Sequence, residues 1–328
     1  VPMPVPAPLE VRIRVCACGV CHTELDEIEG RTPPPTFPMI PGHQVVGEID
    51  AVGDKVTTRR IGERVGVGWI YSACGDCEFC RSGDENLCPE FVATGRDRNG
   101  GYAEYLCVPA SFAIPLPEVL DDLSAAPLLC AGAIGYRSLA LTGLADGQRL
   151  GLTGFGASAH LVLKLVRHLY PKTDVYVFAR SAQEQSFALE LGATWAGATE
   201  QTPPARLHAI IDTTPAWLPV LSALRALLPR GRLVINAIRK EPGDIDSWRA
   251  LDYPEHLWME KEIKSVANVT RKDIATFLEH AATIGIEPTV QTYSLEEANK
   301  ALVEMKRGAI RGARVLRISQ GPTRPHAP

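Results

Sequence analysis

Residues 149–159 read Arg149-Leu150-Gly151-Leu152-Thr153-Gly154-Phe155-Gly156-Ala157-Ser158-Ala159, a short apolar strand pattern followed by a glycine-rich turn. The turn follows the pattern G-x-G-x-x-A and opens a helical run that extends to about Leu169. In nucleotide-binding folds the first glycine permits a tight turn, the second lets the backbone approach a pyrophosphate, and the last small residue lets helix and strand pack closely. The pattern is weak by itself, and its place between a strand and a helix strengthens it. The residues predicted to bind a dinucleotide here are Gly154, Gly156, Ala157 and Ala159.

Strand and helix patterns alternate after this turn. The sequence predicts strands at 174–179, 207–212 and 231–236, with helices at about 182–191 and 216–228. Strands that alternate with helices form a parallel, doubly wound sheet. We therefore predict an α/β fold for this part of the chain.

The end of the second predicted strand carries a signal about the cofactor. In dinucleotide-binding folds an acidic residue at this place binds the ribose 2′-hydroxyl of NAD. Here the sequence is Phe178-Ala179-Arg180-Ser181, which contains no carboxylate. Arg180 can pair with a 2′-phosphate instead, which favours NADP(H) over NAD(H). The alternative is that Arg180 stacks on adenine or faces solvent. Arg180 and Ser181 are assigned to the cofactor site.

Four cysteines with regular spacing lie within residues 74–88. They follow the pattern C-x2-C-x2-C-x7-C and are Cys74, Cys77, Cys80 and Cys88. Four thiolates around a d¹⁰ ion make a closed structural zinc site, which would hold together a loop with few apolar residues. A pair of disulfides or an iron–sulfur cluster would use the same residues. Zinc is favoured because nothing in the sequence indicates an oxidising compartment and the spacing differs from the common cluster spacings.

A second set of candidate metal ligands is spread along the N-terminal part of the chain. The strictly alternating strand pattern of residues 9–16 runs into Cys18-Gly-Val-Cys21-His22-Thr23-Glu24, where one thiol is predicted to bind a metal. His43 lies between a turn and an apolar strand, so its imidazole can face a cleft. Cys130 lies in an apolar helical stretch, 124–141. Taken alone, His43 is more often simply hydrogen-bonded and Cys130 more often inert packing.

Composition excludes several classes of function. The chain has 328 residues, long enough for two domains, and a net charge of −4 with no sustained basic run, so neither nucleic acid nor a charged membrane surface is an expected partner. No apolar stretch approaches the ~20 residues of a membrane helix. The N-terminal residues lack the features of a signal peptide, and the nine cysteines are expected to be reduced thiols, so a cytoplasmic location is predicted.

The C-terminal part is predicted to contain two helices and one strand. The helices cover 272–284 and 295–306, the second capped by Ser294 with Glu297 three residues later, and the strand covers 312–318. Residues 319–328 are rich in Pro and are predicted to be disordered.

Together these motifs resemble the zinc-dependent alcohol dehydrogenases of the medium-chain dehydrogenase/reductase superfamily, most closely their bacterial cinnamyl-alcohol-dehydrogenase-like members. Four separated signatures occur in that family's order: Cys-Gly-Val-Cys-His-Thr, Gly-His before a Val-Val-Gly-Glu strand, the four-cysteine segment and the glycine turn. The resemblance spans nearly the whole chain. It implies a mainly β, GroES-like catalytic domain made of residues 1–131 and 269–328, with a Rossmann cofactor domain at 132–268.

The resemblance also assigns roles to single residues. It implies that Cys21, His43 and Cys130 hold a catalytic zinc, which with the four-cysteine site makes two zinc ions per chain. Three protein ligands leave a fourth position open for substrate, as a catalytic zinc requires. The other implied roles are substrate hydrogen bonding for Thr23, orientation of His43 for Glu24, phosphate contacts for His22 and Arg314, and the substrate pocket for Trp69, where a core role is about as common.

The implied reaction is reversible hydride transfer between a primary alcohol or aldehyde and NADP(H), with zinc as Lewis acid. The alternatives are an NAD-dependent, polyol or secondary-alcohol dehydrogenase of the same superfamily, and a zinc- and nucleotide-binding protein without catalysis. Two departures leave the proton route open: Asp26 stands where many relatives carry a His that passes protons to solvent, and Gln44 stands where Glu is common. Relatives occur as dimers and tetramers, so a homo-oligomer is expected.

Overall fold

The fold is seen in a computed structural model that describes residues 1–307 and 312–319. The predicted disordered tail, 319–328, therefore lies outside the described residues except for Ser319. The chain divides into two compact units: Val1–Ala133 together with the described part of Val269–Pro328, and Ile134–Asn268. In the ranges described, no helix combines the length and the apolar character needed to cross a membrane.

The elements are numbered in chain order. The strands are β1 (Glu10–Val20), β2 (Val45–Val52), β3 (Arg64–Val67), β4 (Ile70–Ser72), β5 (Val92–Ala93), β6 (Tyr105–Pro109), β7 (Ile114–Pro115), β8 (Arg149–Thr153), β9 (Asp174–Phe178), β10 (Trp195–Gly197), β11 (Leu207–Asp212), β12 (Leu227–Ile235), β13 (Glu262–Ser265), β14 (Val290–Ser294) and β15 (Ala313–Arg317). The helices are α1 (His22–Ile28), α2 (Glu78–Ser82), α3 (Asp122–Pro127), α4 (Ala133–Thr142), α5 (Ala157–Leu169), α6 (Ala182–Glu190), α7 (Leu218–Ala226), α8 (Tyr253–His256), α9 (Arg271–Ile284) and α10 (Ala298–Lys306). Short 3₁₀ or π turns cover Glu85–Leu87, Ala110–Phe112, Leu128–Gly132, Pro242–Ala250 and Leu295–Glu297.

The first unit is built on a mainly antiparallel sheet in the order β14-β15-β1-β2-β3-β7, with β6 also paired to β1. The alternation predicted for β1 is observed: Val11, Ile13 and Val15 are fully buried. Between them, Arg12 forms two hydrogen bonds of 2.9 and 3.0 Å with Asp50 on β2. Apolar side chains on one face and cross-strand ion pairs on the other give β1 its register.

The second unit is a six-stranded parallel sheet in the order β10-β9-β8-β11-β12-β13. This is the strand order of a dinucleotide-binding Rossmann fold, so the predicted α/β doubly wound class is confirmed. Two strands, β10 and β13, were not predicted because β10 has three residues and β13 is exposed along its length. β12 begins at Leu227, earlier than predicted, and α7 therefore ends at Ala226.

A buried ion pair lies where β8 and β11 end. Asp212, at the end of β11, is fully buried and pairs with the ammonium group of Lys240. Lys240 also donates to the carbonyl oxygens of Thr214 and Ala216 at 2.7 and 2.9 Å, and Asp212 accepts a 2.5 Å hydrogen bond from Thr153. Because every charge has a partner, the pair fixes the turn after β11 against β8. In this fold the crevice beyond these two strand ends is where a dinucleotide binds.

Candidate active site

The junction of β1 and α1 carries the first group of predicted site residues. Cys21 is the N-cap of α1 in an extended conformation. Its backbone N–H donates to Oε2 of Glu24 at 2.7 Å, which closes a capping box. The hydroxyl of Thr23 lies 3.6 Å from the sulfur of Cys21. The first turn of the helix therefore groups a thiol, a hydroxyl and a carboxylate.

Cys21, His43 and Cys130 come together in the first unit although they are far apart in the chain. Their ligand atoms all lie within 4.8 Å of one another, and Nε2 of His43 is 3.2 Å from Sγ of Cys130. His43 precedes β2, and Cys130 lies in the π-helical turn Leu128–Gly132, a local distortion that is frequent at functional sites. Two thiols and one imidazole are preferred zinc ligands and leave a fourth position open, so this donor set fits a catalytic zinc.

A buried carboxylate lies behind the imidazole. Oε1 of Glu24 is 2.5 Å from Nδ1 of His43, and the two side chains are 0% and 1% exposed. Burial alone would lower the pKa of His43, but the carboxylate of Glu24 and the thiol of Cys21 raise it well above its usual value. The contact fixes the ring so that Nε2 faces the cysteines. This is the position that the resemblance implied for Glu24.

The two thiols of the cluster have opposite pKa shifts. Hydrogen bonding to Cys130 and then to His43 lowers the pKa of Cys21, against the effect of burial. The same hydrogen bond, together with burial, raises the pKa of Cys130. The pair thus shares a proton that a bound divalent cation would displace. Cys18 is fully buried and lies outside this cluster of described residues, so the structure brings Cys21 rather than Cys18 to the candidate site.

Both residues that depart from the family pattern are engaged elsewhere. Asp26 is buried, and its carboxylate accepts a 2.6 Å hydrogen bond from Nε of Arg31. Gln44 is buried, and its side chain lies against Gly19 on β1, where an added Cβ would be 2.3 Å from Oε1 of Gln44. Neither arrangement was foreseeable from sequence, because both depend on which neighbours the fold supplies.

Glu27 is a candidate functional residue that the sequence analysis missed. It lies on α1, is 4% exposed, and neither of its carboxylate oxygens has a hydrogen-bond partner among the described residues. Burial and the nearby charge of Glu24 raise its pKa to about 8. Its spacing of four residues from Thr23 could have drawn attention to it, since such residues share a helix face. A glutamate on a helix is usually solvated, however, and sequence alone does not reveal burial.

Trp69, predicted to line the substrate pocket, lies beside Glu27. The indole N–H of Trp69 faces the carboxyl group of Glu27 and lowers the pKa of that group. The ring packs against Phe91 with centroids 5.4 Å apart, and the guanidinium of Arg96 lies 5.4 Å from the indole. The structure thus places Trp69 next to a buried acid near the cluster; its contact with substrate stays a prediction.

The four predicted structural ligands form a second cluster. The sulfur atoms of Cys74, Cys77, Cys80 and Cys88 lie within 4.8 Å of one another. Backbone N–H groups point at three of them: Cys77 donates to Cys74 at 3.4 Å, Cys80 to Cys77 at 3.5 Å, and Cys74 to Cys88 at 3.4 Å. The sulfurs are free thiols at 3.5 and 3.9 Å separations, too far apart for disulfide bonds. The donor set fits a closed zinc site.

This four-cysteine segment is tied to α9. Glu85, between Cys80 and Cys88, accepts hydrogen bonds from the backbone N–H of Arg271 at 2.8 Å and from its guanidinium at 2.5–3.0 Å. The guanidinium also stacks over Phe112, 4.3 Å from the ring centroid. Arg271 is the first residue of α9. The start of α9 therefore holds one side of the segment in place.

In the second unit, the glycine turn has the geometry that the sequence predicted for it. Gly154 has φ +75°, and an added Cβ would lie 2.9 Å from Oγ1 of Thr213, so only glycine fits without strain. Gly156 is the N-cap of α5, and nothing in the described part of the chain lies within 4 Å of its Cβ position. Ala157 begins the helix and Ala159 is fully buried. The N-terminus of a helix with open space before it fits a phosphate.

The positions of the other predicted cofactor residues do not by themselves indicate cofactor binding. Arg180 is exposed directly after β9. The hydroxyl of Ser181 accepts a 3.1 Å hydrogen bond from the N–H of Glu184 and so caps α6. His22 is exposed on α1, whereas Arg314 is buried on β15 and interacts with the hydroxyl of Tyr293. Their contacts with a cofactor stay predictions.

The chain is similar to a known domain family, to two alcohol dehydrogenases and to a solved structure. The alcohol dehydrogenase GroES-like domain family matches residues 7–118. The probable alcohol dehydrogenase AdhA of Mycobacterium tuberculosis is 45% identical over 307 residues, which are 92% of this chain and 87% of that protein. An alcohol dehydrogenase of Geobacillus stearothermophilus is 32% identical, over 93% of this chain and 90% of its own. Among solved structures, a cinnamyl alcohol dehydrogenase from Sorghum bicolor has a TM-score of 0.85 at 28% identity, over 97% of this chain and 92% of that one.

Proposed function

The chain belongs to the zinc-type alcohol dehydrogenases of the medium-chain dehydrogenase/reductase superfamily, and from this premise we propose that it interconverts primary alcohols and aldehydes with NADP(H). Membership makes it an NAD(P)-dependent oxidoreductase of alcohols or aldehydes. The observation that carries the proposal is the cluster of Cys21, His43 and Cys130, with Glu24 behind the imidazole. The three residues directly after β9, Ala179-Arg180-Ser181, contain no carboxylate, which favours the phosphorylated cofactor.

In the proposed mechanism these residues position and polarise the substrate. Zinc held by Cys21, His43 and Cys130 would supply a Lewis acid that makes a substrate hydroxyl more acidic and a carbonyl more electrophilic. Glu24 holds the imidazole in one tautomer and one orientation. Thr23, beside Cys21, offers a hydroxyl that can hydrogen bond to the substrate oxygen. A second zinc in the four-cysteine segment would be structural.

The proposed cofactor site belongs to the second unit. The turn at Gly154 and the N-terminus of α5 would bind the pyrophosphate, and Arg180 would pair with the 2′-phosphate. The cofactor carries the hydride, and the protein supplies binding and orientation. We also propose the domain roles on this basis: the first unit is catalytic and the second unit binds the dinucleotide.

We predict that zinc-replete enzyme oxidises NADPH faster than NADH with both an aromatic and an aliphatic aldehyde. Replacement Arg180→Ala removes a charged contact to the 2′-phosphate, so kcat/KM for NADPH should fall by about tenfold or more while that for NADH changes less than about twofold. Absorbance of each reduced cofactor is followed separately.

The matched control is Arg249→Ala, which replaces an exposed arginine of the same unit. It should leave kcat/KM for both NADPH and NADH unchanged. If the enzyme uses NADH faster than NADPH, and Arg180→Ala does not change this preference, the NADP assignment is wrong. The assignment as a dehydrogenase would be unaffected. No oxidation of either cofactor by protein with two bound zinc ions would favour a non-catalytic zinc- and nucleotide-binding protein.

We propose that the protein is a homo-oligomer that associates through the β13 edge of the second unit. β13 is the outer strand of its sheet, and its four residues are exposed. Nearby Trp258 and Met259 are 54% and 52% exposed, and Ile263 is 40% exposed. An exposed sheet edge with exposed apolar side chains on and beside it can pair with a second copy. Sedimentation velocity should show a dimer or tetramer, and Ile263→Lys should shift it to monomer, whereas Val303→Lys in the first unit should not.

We further propose a cytoplasmic location. All nine cysteines lie in the described part of the chain and are free thiols, which suits a reducing compartment. Fractionation of the source cells should recover the protein in the cytosol; recovery from an oxidising compartment would contradict this.

A further inference from the structure

We propose that Glu27 accepts the proton released when an alcohol is oxidised and passes it to water in an adjoining cavity. The inference rests on the proposed function and adds to it a residue with no other evident role.

The first argument is that Glu27 is the unengaged acid of α1. The carboxylate of Glu24 contacts His43 and that of Asp26 is paired with Arg31. Glu27 is as buried as these two; the indole N–H of Trp69 faces its carboxyl group, yet neither of its oxygens has a partner at hydrogen-bond geometry among the described residues. Burying a carboxyl group without partners is costly, so such a group is commonly retained for function or is hydrated.

The second argument is the placement of Glu27 relative to Thr23. The two residues are four positions apart on α1, which puts their Cβ atoms about 6 Å apart on one helix face. Thr23 lies at the candidate metal cluster through its 3.6 Å contact with Cys21. A proton can therefore move from the hydroxyl of Thr23 to Glu27 directly or through one water molecule.

The third argument is a small cavity beside Glu27. It has a volume of about 60 Å³ and is lined by Glu27, Ile28, Pro34, Phe37, Met39, Pro41 and Gly95. This is enough room for at least one water molecule. Ile28 and Phe37 are 58% and 77% exposed, so the cavity reaches the surface. Glu27 thus lies beside a cavity that is open to solvent.

The electrostatic surroundings of Glu27 suit an acid that gains and loses a proton near neutral pH. Glu24 on the same helix opposes its ionisation. His43 before β2 and Arg96 after β5 favour ionisation, as does the indole N–H of Trp69. Tyr102 lies before β6. Burial raises the pKa of its phenol, and the negative charge of Glu27 is among the nearby charges that raise it further. Burial is the largest influence, and the resulting pKa of Glu27 is about 8, close to the pH at which a general base works best.

The proposed step balances. The alcohol hydroxyl gives its proton to Thr23 as Thr23 gives its own to the carboxylate of Glu27; bound NADP⁺ would supply the oxidant that takes the hydride as the carbinol C–H bond breaks. The products are the aldehyde, NADPH and protonated Glu27. Glu27 then releases the proton to water in the cavity and returns to its charged form. Aldehyde reduction follows the same path in reverse.

The test is the variant Glu27→Gln, which keeps the size of the side chain and cannot accept a proton. We expect kcat for alcohol oxidation near pH 8 to fall at least tenfold and the acid limb of its pH profile to disappear. Added formate, a base small enough for the cavity, should restore part of the rate. Zinc content and the Kd for NADPH should stay unchanged, because Glu27 contacts neither site in this proposal.

Urea unfolding of the zinc-loaded proteins from pH 5 to pH 9 supplies a readout that does not depend on activity. The pKa of Glu27 is raised from 4.5 in the unfolded chain to about 8 in the folded protein, so the folded state binds more protons in this window. Wild type should therefore lose stability relative to Glu27→Gln as the pH rises from about 4.5 to about 8.

The matched control is Glu48→Gln, an acid of the same unit that is paired with Arg14; its pH profile should match wild type. An unchanged pH profile in Glu27→Gln, or a change confined to KM, would overturn the inference and make Glu27 a substrate-binding or structural residue. If wild type oxidises no alcohol at all, the proposed function fails and this inference fails with it. An active wild type with an unaffected variant contradicts the inference alone.

Discussion

Replacing His43 by alanine is expected to lower kcat/KM for aldehyde reduction by at least about 10³-fold and to remove one zinc ion per chain. His43 is one of three ligand side chains in the candidate catalytic cluster, and its Nε2 lies 3.2 Å from Cys130. Loss of a residue that merely supports a ligand typically costs 10–100-fold in metal affinity or activity, so loss of the ligand itself should cost more. Zinc is counted by elemental analysis of the purified protein, and rates are measured in parallel.

Two further variants separate metal binding from folding. His43→Ala leaves Glu24 buried without its partner, which by itself destabilises the fold. Cys130→Ser removes a ligand while keeping the contact between Glu24 and His43, and should give the same loss of one zinc ion and of activity. Cys18→Ser is the matched control, since Cys18 is buried near Cys21 but lies outside the cluster of described residues. Two zinc ions in either ligand variant would refute the assignment.

The second large effect is expected in the four-cysteine segment. Cys77→Ser should abolish its zinc site and lower the free energy of unfolding by about 4 kcal/mol or more. The reason is that α2 contains no buried residue and the backbone N–H groups of Cys77 and Cys80 donate to sulfur atoms, so the metal would supply much of what holds this half of the segment. Zinc analysis, urea unfolding and limited proteolysis measure the effect, and cleavage should begin within residues 74–88.

The damage should remain local at first. The second cluster is separate in sequence from Cys21, His43 and Cys130, so the other zinc ion should be retained at low temperature. Glu85 should keep its contacts with Arg271 until the segment opens. Cys107→Ser, at a half-buried cysteine outside both clusters, is the control. Equal stability of Cys77→Ser and wild type would show that the four thiols bind no structural metal.

Features encoded by short spacings could be predicted from the sequence. The four cysteines of the second cluster lie within residues 74–88, and they meet because one short loop carries them all. The glycine turn likewise depends on local backbone geometry, and the φ of +75° at Gly154 is what the pattern requires. Strands with an apolar core pattern, such as β8 and β11, were located for the same reason.

Features that depend on distant neighbours could not be derived in this way. Spacing alone did not distinguish Cys18 from Cys21; the resemblance selected Cys21, and the structure brings Cys21 to His43. The burial of Glu27 depends on Trp69 and on the residues after α1 that line the cavity. The sequence of the seven-residue helix α1 does not reveal that these neighbours lie against it. β13 escaped prediction because it is exposed and lies at the edge of its sheet, paired with β12.

The pairing of β1 with β15 sets an order of events during synthesis. These strands occupy the two ends of the described chain, yet they are neighbours in the sheet of the first unit. The second unit is one continuous segment, Ile134–Asn268, and can fold as soon as it has left the ribosome. The sheet of the first unit cannot close until β15 has emerged, because Ala17–Val20 of β1 pair with a strand made much later. Contacts so distant in sequence form slowly, so this part of the edge of β1 stays exposed in the nascent chain until β15 arrives, whereas Glu10–Arg14 can pair earlier with β6.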